Sequence, residues 1–233
     1  MNIGGLQKTS LLDYPNKLSA IIWTVGCNFR CPYCYNIQLL DQNFKDLINE
    51  EEILEFLKKR VGKLEAVSIT GGEPLLDNDI FNFIKKIKKL NYFIKIDTNG
   101  SFPNKLKKLI DENMVDFISM DVKAPKYKYD IISGVKVKIE NIQKSIDLIM
   151  NSSNNYEFKT TIVPPILNKN DIVEIAKWIK GAKQYYIQQF KNDTQILSDT
   201  IKNIDPYPIE YLKDIKNEIK SYFDKCEVRG ESI

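Results

Sequence analysis

The sequence contains no histidine and only four cysteines. Without histidine, the chain lacks the commonest general base and the commonest nitrogen ligand for a metal ion. It also has no apolar run close to the roughly 18 to 20 residues that span a bilayer, and no signal peptide at its N-terminus. The net charge is only +3 in 233 residues, and lysine and arginine form no block. We therefore predict a cytoplasmic protein that binds neither membranes nor nucleic acid.

Three of the four cysteines lie on one short segment, Cys27-Asn-Phe-Arg-Cys31-Pro-Tyr-Cys34. Soft thiolates at this spacing suit a [4Fe–4S] cluster, which leaves its fourth iron open when only three cysteines hold it. A zinc site would need Cys226 or a carboxylate as fourth ligand, since histidine is absent. Redox-active thiols in a reducing compartment are a further alternative. We predict one cluster on Cys27, Cys31 and Cys34, with Cys226 as a small buried hydrophobe.

Short β-branched runs alternate with longer amphipathic stretches, the pattern of βα units around a parallel sheet. Six strands are predicted, at Leu18–Thr24, Glu65–Thr70, Tyr92–Thr98, Val115–Asp121, Tyr156–Val163 and Gln184–Phe190, with a short last strand at Cys226–Arg229. Helices are predicted at Glu50–Arg60, Asp79–Leu90, Glu140–Met150, Asp171–Lys180 and Ile209–Phe223, and an exposed loop at Asn151–Asn155. The composition, 43% hydrophobic and 28% charged, suits one core. The prediction is a single α/β domain over residues 1–233, a parallel barrel or an open part of one.

Polar residues follow the predicted strands, where the carboxyl ends of a parallel barrel bring loops to one mouth. The segments are the cysteine loop, Thr70 to Pro74, Asp97 to Gly100, Asp121 to Lys123, and Thr160 to Pro164. Two carboxylates at one mouth, Asp97 and Asp121, need a positive group or a hydrogen-bond donor between them. Asp97 could instead cap the turn before Gly100, and glycine pairs such as Gly71-Gly72 often form ordinary turns.

The three-cysteine spacing with Tyr33 before Cys34, followed by Gly71-Gly72-Glu73-Pro74 after the next strand, resembles the radical S-adenosylmethionine (SAM) superfamily. More narrowly, the chain resembles the glycyl-radical enzyme activating proteins, of the anaerobic ribonucleoside-triphosphate reductase activating type. The matching segments are residues 5–10, 13–15, 26–34, 71–74, 97–100, 120–123 and 228–230. The resemblance implies an incomplete (βα)6 TIM-like barrel of the radical SAM type.

The resemblance also implies a cofactor site. The open iron of one [4Fe–4S] cluster would bind the amino and carboxylate groups of SAM, with Gly71 and Gly72 close to its methionine part. Glu73 or neighbouring carbonyl groups would accept hydrogen bonds from the ammonium group. The other cofactor-binding residues that we expect are Tyr33 near the adenine, Tyr35, Asn99, Asp97 and Asp121 with a monovalent cation, Lys123, and Gln188 or Gln189 near the ribose. Tyr33 could alternatively be a packing aromatic.

The implied reaction is a one-electron cleavage of SAM to methionine and a 5′-deoxyadenosyl radical, which takes a hydrogen atom from a glycine of a partner enzyme. The expected partner is an anaerobic ribonucleotide reductase, with flavodoxin or ferredoxin as reductant. Asp13 would touch the partner's glycine loop, unless it only forms a turn before the first strand. Tyr35 replaces a histidine and Asn16 a glycine that many activators have, which concerns the identity of the partner.

Three other functions compete with this prediction. A radical SAM enzyme acting on a small molecule, like 7-carboxy-7-deazaguanine synthase, would also use a compact incomplete barrel. A cluster-carrying electron-transfer protein would need neither Gly71 to Pro74 nor the two aspartates. A zinc-stabilised binding module is the third alternative.

Overall fold

The computed structural model describes residues 1–41, 43–192 and 195–230. These residues form one sheet of eight strands that follow one another in chain order. The strands are β1 Ile3–Ser10, β2 Ser19–Thr24, β3 Ala66–Gly71, β4 Phe93–Thr98, β5 Phe117–Asp121, β6 Asn155–Ile162, β7 Gln184–Gln189 and β8 Lys225–Arg229. The α-helices are α1 Glu50–Arg60, α2 Ile80–Lys88, α3 Pro103–Asp111, α4 Tyr129–Ser133, α5 Ile139–Met150, α6 Lys169–Trp178 and α7 Ile209–Ile219.

The sheet is an incomplete TIM-like barrel, which confirms the predicted fold class. β1 pairs with β2 antiparallel, and every later neighbour pair from β2 to β8 is parallel. In the part of the chain that the structure describes, β1 and β8 form the two edges and do not pair with each other. The barrel is therefore open on one side.

The predicted strands lie within two residues of the observed ones, and α1 matches its predicted bounds. Strand β1 and helices α3 and α4 were not predicted, and the predicted C-terminal ends of α2, α6 and α7 lie two to four residues too late. Beyond α7 the backbone tightens into a 3₁₀ turn at residues 220–222, because the chain must turn back into β8. The predicted loop at residues 151–155 ends one residue earlier, since Asn155 begins β6.

The helices cover the outer face of the sheet with apolar side chains. In α2, Ile80, Phe83, Ile84 and Ile87 are buried at spacings of three and four residues, while lysines fill the last turn. Helix α6 begins with a capping box, in which Asn168 accepts from the backbone N–H of Asp171. None of the helices in the described ranges is both long and apolar enough to cross a membrane.

The inner face of the barrel is polar. Along β4, Lys95 and Asp97 alternate with the fully buried Ile94 and Ile96, so the two charged residues share the face away from the helices. Ser119 on β5 and Glu157 on β6 are also buried, and the Ser119 hydroxyl donates to the Glu157 carboxylate at 2.8 Å. This polar face leads up to the carboxyl edge of the sheet.

Candidate active site at the carboxyl edge of the sheet

A cavity of about 480 Å³ lies at the carboxyl edge of the parallel strands. Its lining includes most of the residues predicted for the site: Cys27, Cys31, Tyr33, Cys34, Tyr35, Gly71, Gly72, Asp97, Asn99, Asp121, Lys123, Gln188 and Gln189. Glu73 and Asp13 are not among the lining residues. The βα topology therefore brings together residues that are up to 162 positions apart, counting from Cys27 to Gln189.

The cysteine loop leaves β2 and exposes its thiols to the cavity. Cys31 is buried, and Cys27 and Cys34 are partly buried. Burial raises the pKa of Cys27 to about 12 and raises the pKa of both other thiols, while the nearby Lys123 ammonium opposes the shift at all three. The backbone N–H of Phe29 donates to the Cys27 sulfur at 3.4 Å. When a metal replaces the thiol protons, the Phe29 N–H and the Lys123 ammonium would stabilise the resulting thiolates.

A polar network joins the cysteine loop to the loop after β4. The Asn99 side-chain amide donates to the Asn28 oxygen at 3.0 Å, and the Asn28 amide donates to the Ser101 hydroxyl at 2.9 Å. Ser101 in turn donates to Asn99 through both its hydroxyl and its backbone N–H. The predicted cofactor residue Asn99 therefore has a structural task, which is to fix the cysteine loop.

Gly71 and Gly72 allow close backbone contact with the start of the cysteine loop. A Cβ on Gly72 would lie 2.0 Å from the Gly26 carbonyl oxygen, and one on Gly71 would lie 2.5 Å from backbone atoms of Thr24. Gly71 also has a φ of +114°, which favours glycine. Two hydrogen bonds hold this contact: Gly72 N–H donates to Thr24 at 2.9 Å and Glu73 N–H donates to Gly26 at 2.8 Å.

Glu73 is 1% exposed and its carboxylate is occupied by the protein itself. It accepts hydrogen bonds from the Thr98 hydroxyl at 2.8 Å, from Asn99 N–H at 2.7 Å and from Leu75 N–H at 3.1 Å. Burial raises the pKa of Glu73 to about 7, against the effect of these three donors. Gly71 and Gly72 line the cavity, whereas Glu73 does not, so the neighbouring residues are the better placed of the two acceptors that the resemblance offers for the SAM ammonium.

Asp97 binds two lysines that the sequence analysis did not single out. Lys95 Nζ lies 3.0 and 2.9 Å from its two oxygens, and Lys159 Nζ lies 2.9 Å from Oδ1. Burial alone would raise the pKa of Asp97, but the ammonium groups of Lys159 and Lys95 hold it well below its usual range. The turn before Gly100 is fixed by Thr98, whose hydroxyl accepts from Gly100 N–H, so the alternative capping role of Asp97 is wrong.

Asp121 and Lys123 line the same cavity as Asp97 and Lys159. Lys123 Nζ is 3.7 Å from the Asp121 carboxylate and 5.8 Å from the centre of the Tyr33 ring. Burial alone would lower the pKa of Lys123, but Asp121 and Tyr33 raise it well above its usual value. Lys123 is therefore a permanent cation next to the thiols.

Tyr35 and the neighbouring glutamines close the far side of the cavity. The Tyr35 hydroxyl accepts from Lys191 N–H at 2.8 Å and donates to the Lys191 carbonyl at 3.1 Å. The Gln189 amide nitrogen donates to the Tyr207 carbonyl at 2.6 Å, whereas its buried Oε1 has no hydrogen-bond partner in the described structure. Gln189 thus offers an acceptor to a ligand.

Asp13 is not part of this site. Strand β1 runs antiparallel to β2, and Ser10 pairs with Ser19 at the amino end of β2. The loop that follows Ser10 therefore lies at the opposite edge of the sheet, and the Ser10 hydroxyl donates to the Asp13 carboxylate there. This position of Asp13 was not predicted, because β1 itself was not predicted.

The residues of the cavity fit an iron–sulfur cluster. Zinc needs its ligands to converge at about 2.0 to 2.3 Å from one point, and no three His, Cys, Asp or Glu side chains do so in the residues described. The cysteines of a four-iron cluster each bind a different iron, so separated thiols around one cavity suffice. Cys27, Cys31 and Cys34 meet this requirement.

Comparisons with known proteins agree with this geometry. The family model described as "Radical SAM superfamily" matches residues 21–179. A Methanocaldococcus jannaschii protein named "Putative glycyl-radical enzyme activating enzyme MJ1227" is 33% identical over 236 residues, 97% of this chain and 95% of the relative. A 7-carboxy-7-deazaguanine synthase from Clostridium acetobutylicum is 28% identical over 183 residues, 72% of this chain and 81% of that protein.

Solved structures show the same fold. Streptococcus suis SuiB bound to S-adenosylmethionine has a TM-score of 0.66 at 14% identity, over 88% of this chain. This chain spans about half of SuiB, 48% of its length. At such low identity the likeness concerns the fold alone.

Proposed function

The chain belongs to the radical SAM superfamily, and from that premise we propose that it activates a glycyl-radical enzyme. It would cleave SAM reductively and remove a hydrogen atom from a glycine of a partner enzyme. When bound, the cluster and SAM supply the electron transfer and the hydrogen abstraction. The observation that carries the proposal is the similarity to the M. jannaschii relative, which extends over 97% of this chain and 95% of that one.

The proposed cluster ligands are Cys27, Cys31 and Cys34. The backbone carbonyl groups near Gly71 and Gly72 would accept hydrogen bonds from the SAM ammonium, and Lys123 would face its carboxylate. Lys123 suits this role because it lines the cavity and keeps its charge.

The adenosine part would lie between Tyr33, Tyr35 and Gln189. The ring of Tyr33 is buried against Lys123, and the hydroxyl of Tyr35 is held by Lys191. The unpartnered Oε1 of Gln189 would accept from a ribose hydroxyl, since a buried acceptor without a donor is unfavourable. We expect Gln189→Met to raise the Kd for SAM about tenfold, which corresponds to one lost hydrogen bond of about 1 to 1.5 kcal/mol.

The open side of the barrel favours a polypeptide as substrate. Strands β1 and β8 leave a gap in the described sheet, and Arg229 at the end of β8 lines the cavity while partly exposed. A loop from another protein could enter here and reach the reacting centre, where hydrogen abstraction needs close approach of the target carbon. The remaining task of this chain is to orient SAM and to keep water out of the cavity.

The proposed partner is an anaerobic ribonucleotide reductase, and the proposed reductant is a flavodoxin or ferredoxin. Because cluster and free thiols require reducing conditions, we expect the protein to act in the cytoplasm. The reaction needs no side-chain base, in agreement with a sequence that has no histidine.

Release of 5′-deoxyadenosine tests the proposal. The anaerobically reconstituted and reduced protein is incubated with SAM and with the reductase of the same organism, or with a reductase whose radical glycine is replaced by alanine. We expect one 5′-deoxyadenosine for each activated glycine, and only a slow background with the alanine variant. Equal release from both reductases would overturn the proposal.

A parallel incubation with a carboxylated pterin, analysed for the 7-carboxy-7-deazaguanine after which the C. acetobutylicum relative is named, addresses the competing function. The 28% identity to the C. acetobutylicum enzyme is the observation that favours that candidate. Conversion of the pterin with turnover would establish a small-molecule enzyme and exclude the activating role that we propose.

A further inference from the structure

We infer that the ammonium group of Lys159 replaces the monovalent cation that the family resemblance predicts beside Asp97 and Asp121. The inference concerns how SAM is held and so depends on the proposed cofactor site. It makes this chain independent of sodium and potassium.

Lys159 lies on β6, next to Asp121 on β5. Its Cα pairs with that of Asp121 in the β5–β6 ladder, so both side chains leave the sheet on the same face. Its ammonium nitrogen nevertheless lies 2.9 Å from Asp97 Oδ1 on β4, one strand beyond β5. The Lys159 side chain therefore crosses β5 and puts a positive charge between the two carboxylates.

Both oxygens of the Asp97 carboxylate already have ammonium partners. One of its oxygens has contacts with both Lys95 and Lys159, and the other has a contact with Lys95. A hard cation needs several oxygen ligands that converge on it. Two ammonium groups within 3.0 Å of this carboxylate would repel such a cation, and among the described residues no acidic cluster offers a substitute site.

The lysine ammonium groups around the cavity outnumber the aspartate carboxylates that they face. Lys95, Lys123, Lys159 and Arg229 face Asp97, Asp121 and Glu157, which gives four positive charges against three negative ones. The side chains of Lys95 and Lys159 are only 7% and 17% exposed, so each depends on its carboxylate partner. The excess positive charge matches the carboxylate of SAM, and an additional cation would upset a balance that the lysines already provide.

Binding of thallium(I), a spectroscopic stand-in for potassium, tests the inference directly. The reconstituted protein is exchanged into tetramethylammonium nitrate, and thallium(I) nitrate is titrated with and without SAM while the NMR line width of thallium is recorded. We expect no saturable binding at millimolar concentrations in either case. Saturable binding that is lost in Asp97→Asn would overturn the inference, whether or not SAM binds.

The dependence of SAM binding on potassium, measured with and without Lys159, is a second test. In the natural sequence, replacing tetramethylammonium by potassium at constant ionic strength should change the Kd for SAM by less than about twofold. Lys159→Met removes one of the two ammonium groups that contact Asp97 Oδ1 and leaves Lys95 as the remaining partner, so we expect about tenfold weaker SAM binding that potassium partly restores. Lys177→Met is the matched control, because Lys177 is an exposed lysine paired with Glu174 on α6. A strong potassium requirement in the natural sequence would contradict the inference.

These measurements are independent of the partner enzyme. A failure to form a glycyl radical would leave the cation result intact, and a cation requirement would leave the activating role intact. The two proposals therefore fail separately.

Discussion

The guanidinium group of Arg229 binds the carboxylate of Glu157 through two hydrogen bonds, 2.9 and 2.6 Å long, and so joins β8 to β6 across the barrel interior. Arg229 also lies over the ring of Tyr186, with its central carbon 3.4 Å from the ring centre. Glu157 is 1% exposed and accepts a further hydrogen bond from Ser119. Because β8 is an edge strand, this pair holds the open side of the barrel in place.

Loss of this pair should weaken the whole domain. Arg229→Met leaves a buried carboxylate without its cation, and we expect a loss of about 1 to 3 kcal/mol in the free energy of unfolding, less than for a fully buried pair because Arg229 is partly exposed. Urea denaturation measures the effect. Lys177→Met, which breaks an exposed pair, should change the free energy of unfolding by less than about 0.5 kcal/mol. Equal effects of the two substitutions would contradict the assignment.

The same pair predicts a pH dependence at acid pH. Burial alone would raise the pKa of Glu157, but its hydrogen bonds and charge interaction with Arg229 lower it. The stabilisation is therefore present above the ordinary pKa of 4.5 and is lost as the pH falls through the lower folded pKa. Arg229→Met should make the acid limb of the stability curve shallower without abolishing it, because lysine partners also lower the pKa of Asp97 and Asp171. An unchanged acid limb would show that other carboxylates cause it.

Glu73 predicts the opposite pH dependence near neutrality. Its folded pKa of about 7 lies above its ordinary value of 4.5, so its contribution to stability is full below 4.5 and is lost as the pH rises through 7. Between pH 5 and pH 8 we expect the natural protein, without cluster, to lose about 2 kcal/mol relative to Glu73→Gln. Lys123 is the charged side chain that opposes this shift. A constant difference between the two proteins across this pH range would contradict the prediction.

Gly72→Ala should disrupt the cysteine loop through a steric clash. The added methyl group would lie 2.0 Å from the Gly26 carbonyl oxygen, so one of the two loops must move. We expect a loss of about 1 to 3 kcal/mol in stability and reduced iron incorporation. Gly62→Ala is the control, because its Cβ meets nothing within 4 Å and only its φ of +76° is unfavourable. It should lower stability by about 1 kcal/mol with full iron content.

Much of the fold was predictable because local sequence determines it. Buried Ile94 and Ile96 alternate with polar neighbours in β4, and the apolar residues of α2 recur at helical spacing. Strand β1 was missed because Gly4 and Gly5 break the apolar alternation. A Cβ on Gly4 would lie 2.5 Å from a terminal methyl group of Leu39, so that side chain would have to move. Such a tertiary contact leaves no pattern in the local sequence.

The site was predictable where it depends on segments after strands, and unpredictable where it depends on contacts across strands. The placement of Cys27, Gly71 and Asp121 around one cavity follows from βα topology alone. The pairing of Lys159 with Asp97 joins residues 62 positions apart on strands that are not neighbours. Alternation in β4 was the one available signal, because it puts Lys95 on the same face as Asp97.

Replacing each cysteine in turn should distinguish the three cluster ligands from Cys226, the buried thiol of β8. We expect Cys27→Ala, Cys31→Ala and Cys34→Ala to lower iron from about four to less than about one per chain after reconstitution. Cys226, buried in β8, is the matched control, and Cys226→Ala should retain the iron. Iron analysis together with visible absorbance checks the result. Retention of iron in any of the three variants would remove that cysteine from the ligand set.

The electron paramagnetic resonance spectrum of the partner tests the central claim most directly. The reduced, reconstituted protein is mixed anaerobically with SAM and an anaerobic ribonucleotide reductase of the same organism, and the spectrum is recorded on the reductase after separation. We expect the doublet of a glycyl radical, and we expect no doublet from a reductase whose radical glycine is replaced by alanine. SAM cleavage without any doublet on the reductase would contradict the proposed activation of that enzyme.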